Sequence, residues 1–237
     1  MRSMMGRKLG HFVDLTDRDE QLLAYMLRSQ TLFVGAGQDM IREGTRPTFV
    51  KIVMEGWAAR YKILENGRRQ IVGFLLPGDL CIPQAIMTMR LDHSIAAIDD
   101  LHCAMVHPEQ LDAIEQESIN IRRALAMDAQ ISLAIQREWT VNLGARAAPE
   151  RIGCLICELY LRLKAVGMTE GSGYFCPLTQ IDLAEAAGVS TVHVNRVIKQ
   201  MRRADLIQWR EQFIEIPDPL RLAQACGFRP SYLQMPF

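Results

Sequence analysis

The residues best able to do chemistry lie within residues 178–207, and they suit hydrogen bonding to a nucleic acid rather than bond making. Over residues 191–204 the apolar Val194, Val197, Ile198 and Met201 recur at i, i+3, i+4 and i+7, the spacing of a helix face that packs inward. Thr191, Val192, Asn195, Arg196 and Lys199 form the opposite stripe, with His193 at its edge. Arginine can grip both acceptors of a guanine edge, asparagine can pair with adenine, and lysine can neutralise phosphate. Ser190 is the natural cap of this helix, Thr179 caps a shorter one at 180–187, and Gly188 supplies the positive φ that ends it. Two capped helices so close together form a helix-turn-helix, whose second helix enters the major groove of DNA. Residues 206–210 and 212–216 read as two short strands around a turn, a wing beside that helix.

Charge supports the same reading. The chain carries 27 basic and 27 acidic residues, so it has no general bias. Between Ser190 and Arg210, however, Arg196, Lys199, Arg202, Arg203 and Arg210 face only Asp205, a basic patch of the kind that meets phosphates. At 237 residues, 49% of them hydrophobic, the chain is long enough for two compact domains. No run of about 18 apolar residues is present, which argues against a membrane span. The first nine residues hold Arg2, Arg7 and Lys8 but no apolar stretch of a secretory signal, so a cytoplasmic location is expected. Cys81, Cys103, Cys154, Cys157, Cys176 and Cys226 are scattered through apolar surroundings, which suits reduced thiols.

The elements that must carry the reading helix follow from the rest of the pattern. A short helix is expected near 17–28, then strands from 31–34 onward, punctuated by Gly35, Gly37, Gly44 and Gly56. Segments 57–64 and 68–76 flank Glu65-Asn66-Gly67, where Asn-Gly signals a hairpin because both residues tolerate positive φ. Further strands are expected at 94–97 and 101–107, and many short strands with glycine turns suggest a jelly roll. Pro108 opens a helical region with a break near Ser118 that runs to about Asn142. On it, Ile121, Leu125, Asp128, Ser132, Ile135, Trp139 and Asn142 form one stripe, and Met127, Ile131, Ala134 and Val141 a second. A helix apolar on two sides needs two partners, here its own roll and a twin helix. The first stripe is expected at the dimer seam, with Ile121, Leu125, Ser132, Ile135 and Trp139 as contacts. A hinge is expected at 144–149, followed by a helix at 150–166.

The order of these parts resembles the Crp/Fnr family over nearly the whole chain. The stretch Arg42-Glu43-Gly44-Thr45, residues 52–56, Asn66-Gly67 and residues 73–80 (GFLLPGDL) looks like the family's roll, and residues 184–196 resemble its DNA-reading unit. Pro77-Gly78-Asp79-Leu80 followed by Ala85-Ile86 is more similar to the Fnr/FixK branch. The resemblance implies an α+β fold: an N-terminal β-roll like a cyclic-nucleotide-binding jelly roll (1–116), a long dimerisation helix and hinge (117–145), and a C-terminal winged helix-turn-helix (146–237). It also implies a candidate effector pocket at Gly78, Asp79, Leu80, His93 and Ser94. Cyclic-nucleotide binders use a glutamate for the ribose and Arg-Ser or Arg-Thr for the phosphate. Asp79 and His93-Ser94 stand at those places here, and the loss of a bidentate guanidinium weakens phosphate capture. Fnr-like members read DNA with Glu, Ser and Arg, whereas this chain has Val192, Asn195 and Arg196.

Other chemistries find less support. Oxygen-sensing members carry an N-terminal cysteine cluster, and the first 80 residues here contain no cysteine. Cys154 and Cys157 lie among Ile152, Leu155, Ile156 and Leu159, as buried small residues do, and two thiolates do not complete a tetrahedral metal site. His11, His93, His102 and His107 match no haem motif, and the last three are not spaced as the ligands of a cupin-like jelly-roll enzyme. The sequence therefore reads as a bacterial homodimeric transcription factor, not an enzyme, with double-stranded DNA, its own twin and RNA polymerase as partners. No cofactor or metal is assigned. A regulator without effector, controlled by abundance or thiol oxidation, remains an open alternative.

Overall fold

The computed structural model describes residues 2–28, 30–82 and 89–235. Ala85-Ile86 of the branch motif lies outside them. The chain begins with α1 (Met4–Leu9) and α2 (Asp17–Leu27), followed by β1 (Gln30–Val34), β2 (Asp39–Ile41), β3 (Val50–Glu55), β4 (Ala58–Ile63), β5 (Arg69–Leu75), β6 (Ser94–Ala97) and β7 (Leu101–Val106). These strands make two antiparallel sheets, ordered β1-β7-β3 and β2-β6-β4-β5. Alternation along the strands decides what each face does. Ala58, Leu75, Ile95, Ala97 and Cys103 fill the inside of the roll. Ala59, Tyr61, Ile71 and Phe74 on the outside continue into the core of the C-terminal helices. The outer face of the roll and the C-terminal helices thus share one continuous apolar body at this junction.

The Asn-Gly hairpin forms, with one change. Only Gly67 takes positive φ (+79°); its N–H donates to Leu64 O (2.8 Å), and the Leu64 N–H donates to Arg68 O (2.8 Å). The connection is therefore wider than a two-residue turn, and Asn66 instead accepts from the Arg68 N–H through its side chain (3.0 Å).

The helical region divides as expected at Ser118, into α3 (Pro108–Glu117) and α4 (Ile119–Ala145). Ser118 leaves the helical region of φ/ψ (φ −125°, ψ 109°) and caps α4 by accepting from the Ile121 N–H (3.1 Å). Its hydroxyl donates to Asp19 of α2 (2.5 Å), which also accepts from Asn120 (3.0 Å) and from Thr16 (2.8 Å). Burial raises the Asp19 pKa, but these donors outweigh it and bring the carboxyl down to about 2. Because the folded pKa is depressed, the stability that Asp19 contributes is complete above about pH 4 and is lost as pH falls towards 2. Asp19→Ala should therefore lower the midpoint of chemical denaturation at pH 7 and lose much of that deficit near pH 2; an equal deficit at both would exclude this role.

The stripe assigned to the dimer seam lies elsewhere. Ile121 is fully buried, Trp139 is 6% exposed, and Asp128 and Asn142 are buried as well, all against the protomer's own roll and C-terminal helices. Trp139 packs edge-on to Phe74 of β5 (5.9 Å between centroids) and donates through Nε1 to Glu158 (3.2 Å). Ile135 and Leu125 are partly buried on this side, and Ser132 is exposed at its margin. Periodicity located the apolar stripe but could not name its partner. The opposite face, with Ala126, Met127, Ala129, Leu133 and Val141, faces solvent.

The hinge is shorter than expected. Helix α5 runs Ala148–Val166, so Gly144 and Ala145 end α4, Pro149 sits in the first turn of α5, and only Arg146 and Ala147 connect them. Arg146 is held by Glu138 (2.6 Å) and Asn142 (2.5 Å), and its carbonyl accepts from Arg151 (2.8 Å). Beyond α5 come β8 (Gly173–Phe175), α6 (Gln180–Ala187), α7 (Thr191–Arg203), β9 (Gln208–Arg210), β10 (Phe213–Glu215), α8 (Pro219–Cys226) and a 3-10 turn at Pro230–Leu233. No helix among the described residues is long and apolar enough to cross a membrane.

Candidate nucleic-acid interface

Helix α7 is positioned from below by its apolar face. Val194 and Val197 are buried at 0% and 1% exposure, with Ile198 and Met201 beside them, against α5 and α6. Ser190 caps it, accepting from the His193 N–H (3.2 Å). Helix α6 begins with a capping box: Thr179 accepts from the Asp182 N–H (3.2 Å) while the Asp182 carboxylate accepts from the Thr179 N–H (2.8 Å). It ends at Gly188 in the left-handed region (φ +66°), where any other residue would be strained. The caps set the short turn, and the turn aims α7 outward.

The outward stripe is open. Thr191, Val192, Arg196 and Lys199 are exposed, Val192 at 79%, and neither Arg196 nor Lys199 forms an ion pair among the described residues. Asn195 and His193 are half-buried, and the Asn195 amide donates to Gln180 of α6 (3.2 Å), which orients it. Arg202, Arg203 and Arg210 continue the basic surface. A row of unpaired guanidinium and ammonium groups on a rigid helix is suited to phosphates and base edges in the major groove. The wing is present as β9 and β10, and β10 also pairs with β8, a third strand that the sequence reading missed. Gly173-Tyr174-Phe175 is too short for an alternating pattern to show; the fully buried Tyr174 is its one signal.

The residues expected at the effector pocket separate into two groups. Asp79 is buried, and its carboxylate is occupied: it accepts from Lys8 Nζ (2.7 Å), Arg162 Nη2 (2.6 Å) and the Leu76 N–H (2.8 Å). Burial raises its pKa, but the Lys8 and Arg162 charges outweigh this and hold it well below the usual carboxylate range. Gly78 sits beside α1, and the Ser94 hydroxyl accepts from the Glu43 N–H (2.9 Å). Leu80 and His93, by contrast, line a cleft between the roll and α4. Asp79 is thus a strut rather than a ligand to ribose. Lys8 also contacts Asp128 of α4 (2.6 Å), and Arg162 contacts Glu158 (3.2 Å), itself bonded by Tyr232 (2.9 Å). Helix α1, which brings Lys8 into this network, was not foreseen; Ser3 as its cap and the buried Met5 and Leu9 were the available signal.

The cysteines contribute no exposed thiol: all six are free and buried. Cys154 donates to the Cys226 carbonyl (3.3 Å), and burial pushes the Cys176 thiol up to about 12. No group of three or more metal-ligating side chains occurs among the described residues. His102 packs at a tilt against Phe33, and His107 packs edge-on to Phe49.

A strand roll joined through a long helix to a winged helix-turn-helix with a free basic face defines a DNA-binding regulator. The pattern of the Crp-like helix-turn-helix domain matches residues 150–225, and that of the cyclic nucleotide-binding domain matches residues 31–118. The transcriptional activator protein FnrL of Cereibacter sphaeroides is 28% identical over 196 residues, 81% of this chain and 78% of that protein. The nitrogen fixation regulation protein FixK of Bradyrhizobium diazoefficiens is 28% identical over 190 residues, 79% and 78% of the two chains. The structure of FixK2 from Bradyrhizobium japonicum superposes with a TM-score of 0.70 at 21% identity, covering 82% of this chain and 96% of that one. The chain belongs to the Crp/Fnr family and is a transcription factor, not an enzyme.

Proposed function

We propose that the protein works as a homodimer in the cytoplasm, binds a two-fold symmetric DNA site through paired α7 helices, and from there touches RNA polymerase. The observation that carries this is the outward stripe of α7, exposed and free of carboxylate partners on a helix whose opposite face is fully buried. Relatives named as transcriptional activators support the polymerase contact. Two winged helices double the phosphate contacts and place two reading helices about 34 Å apart, which requires inverted half-sites.

Within each half-site Arg196 reads a guanine through O6 and N7. Arg196→Ala should cost about 1–3 kcal/mol and relax preference at that base pair alone. Unchanged affinity for the selected site would remove Arg196 from this role. Selection of bound DNA from a random pool tests the larger proposal. Inverted repeats are expected, with half-sites related to TTGA but altered where Val192 meets a thymine methyl and Asn195 an adenine. An unmodified TTGA–TCAA palindrome would show that Val192 does not change the code, and an asymmetric or absent consensus would overturn the dimeric reading.

A further inference from the structure

One member of the outward stripe of α7 is tied to a second helix. Thr191, Val192 and Arg196 are exposed, whereas Asn195 is half-buried and its amide leans on α6. Asn195 Nδ2 donates to Gln180 Oε1 at 3.2 Å, across 15 residues of chain.

Gln180 is held as a fixed acceptor. It is the first residue of α6, directly after the N-cap Thr179. The capping box between Thr179 and Asp182 fixes the backbone on either side of it (2.8 and 3.2 Å). Leu183 and Ala184, one turn further on, are buried in the core that also takes Val194 and Val197 of α7. The Gln180 side chain is exposed and takes no part in the box. Its contact is with the reading helix.

The direction of this hydrogen bond decides what Asn195 presents to DNA. An asparagine amide carries two N–H donors on its nitrogen and one acceptor oxygen. In the major groove adenine offers an acceptor, N7, and a donor, N6; guanine offers two acceptors, N7 and O6. A freely rotating amide meets either base. With one Nδ2 hydrogen on N7 and Oδ1 facing N6, adenine is matched twice. With both Nδ2 hydrogens turned to N7 and O6, guanine is matched as well. Gln180 takes one of those two hydrogens. What is left is one donor and one acceptor, the adenine pattern, and guanine would set O6 against the lone pairs of Oδ1. Val192, one turn earlier, has no polar group to share this task.

We propose that Gln180 is a positioning residue for DNA recognition: by accepting from Asn195 Nδ2 it fixes the amide so that Asn195 takes adenine and rejects guanine. The proposal rests on the reading of Asn195 as an adenine contact and names the group that makes that contact selective. It puts part of the sequence code on α6, the helix that stays outside the groove.

The experiment uses the full-length protein and the DNA site it selects, with one base pair changed from adenine to guanine in one half-site. That base pair is the one whose preference Asn195→Ala removes. Competition binding at fixed salt gives the adenine-to-guanine affinity ratio of each variant. The parent ratio should be about tenfold or more, and Gln180→Ala should bring it below about threefold. Gln180→Glu leaves only acceptors at this position, so it should hold the ratio within about twofold of the parent. Its carboxylate, close to phosphate, should lower the affinity for both sites. A residue that merely braced α6 would not separate these two variants. Gln180→Ala combined with Asn195→Ala should give the ratio of Asn195→Ala alone, which decides the matter even where Gln180→Glu binds too weakly to measure. The proposal is overturned if Gln180→Ala keeps the parent ratio, if a binding Gln180→Glu loses it, or if the two alanine substitutions act additively. If no base pair depends on Asn195, the adenine reading falls and this proposal with it. If one does and Gln180→Ala leaves it intact, this proposal falls alone.

Discussion

Ala129→Glu combined with Leu133→Glu is expected to give a folded monomer that binds the selected DNA site at least about a hundredfold more weakly than the parent. Both positions lie on the solvent-facing side of α4, Leu133 at 53% exposure, so neither substitution disturbs the protomer's core. In a paired helix they place four carboxylates at one seam, where like charges repel and apolar contact is lost. A lone winged helix keeps half the phosphate contacts and loses the fixed spacing between half-sites, so affinity and discrimination fall together. Sedimentation, circular dichroism and operator binding measured on the same preparation decide the outcome. A variant still dimeric at micromolar concentration would place the seam on another surface. The contrast is Trp139→Glu: the ring is buried within the protomer between Phe74 and Glu158, so that change should cost the fold itself.

Asp79→Ala should be among the most destabilising single substitutions, at about 3–5 kcal/mol, because it strips the shared partner from two buried cations. Lys8 and Arg162 are 13% and 12% exposed and meet at this one carboxylate, one from α1 and the other from α5. Asp128 and Glu158 remain to them, which keeps the loss finite. Removing the cation as well, as Asp79→Ala with Arg162→Met, should recover part of the deficit, and the double-mutant cycle isolates the pair. The sign with pH follows from the depressed carboxyl: the stabilisation is complete above the ordinary carboxylate range and disappears only in strong acid, as pH falls through the folded value. Denaturant unfolding of the four proteins at pH 7 measures it. A loss below about 1 kcal/mol for Asp79→Ala, the level of an exposed pair, would show that solvent reaches the network.

The reading helix was legible because its signals are local. Caps at Thr179 and Ser190, the left-handed Gly188 and the i, i+3, i+4, i+7 run from Val194 to Met201 are decided by a few neighbouring residues, and they fix which side chains face out. The hairpin of the roll and the break at Ser118 were legible for the same reason, since turn glycines and period changes act over one or two turns of chain, whereas the three-residue β8 was not. What the tertiary structure alone decided are matters of partner. The stripe from Ile121 to Trp139 was visible, but a hydrophobic period records that a face is buried and not against what; only packing showed it turned to the roll and α5, with Ala129 and Leu133 left exposed. Asp79 stood at a recognised motif position, yet its role depends on Lys8 and Arg162, 71 and 83 residues away along the chain. Its fate was set by charge pairing across that distance, because a buried carboxylate is stable only where cations converge on it, and convergence is a property of the folded chain.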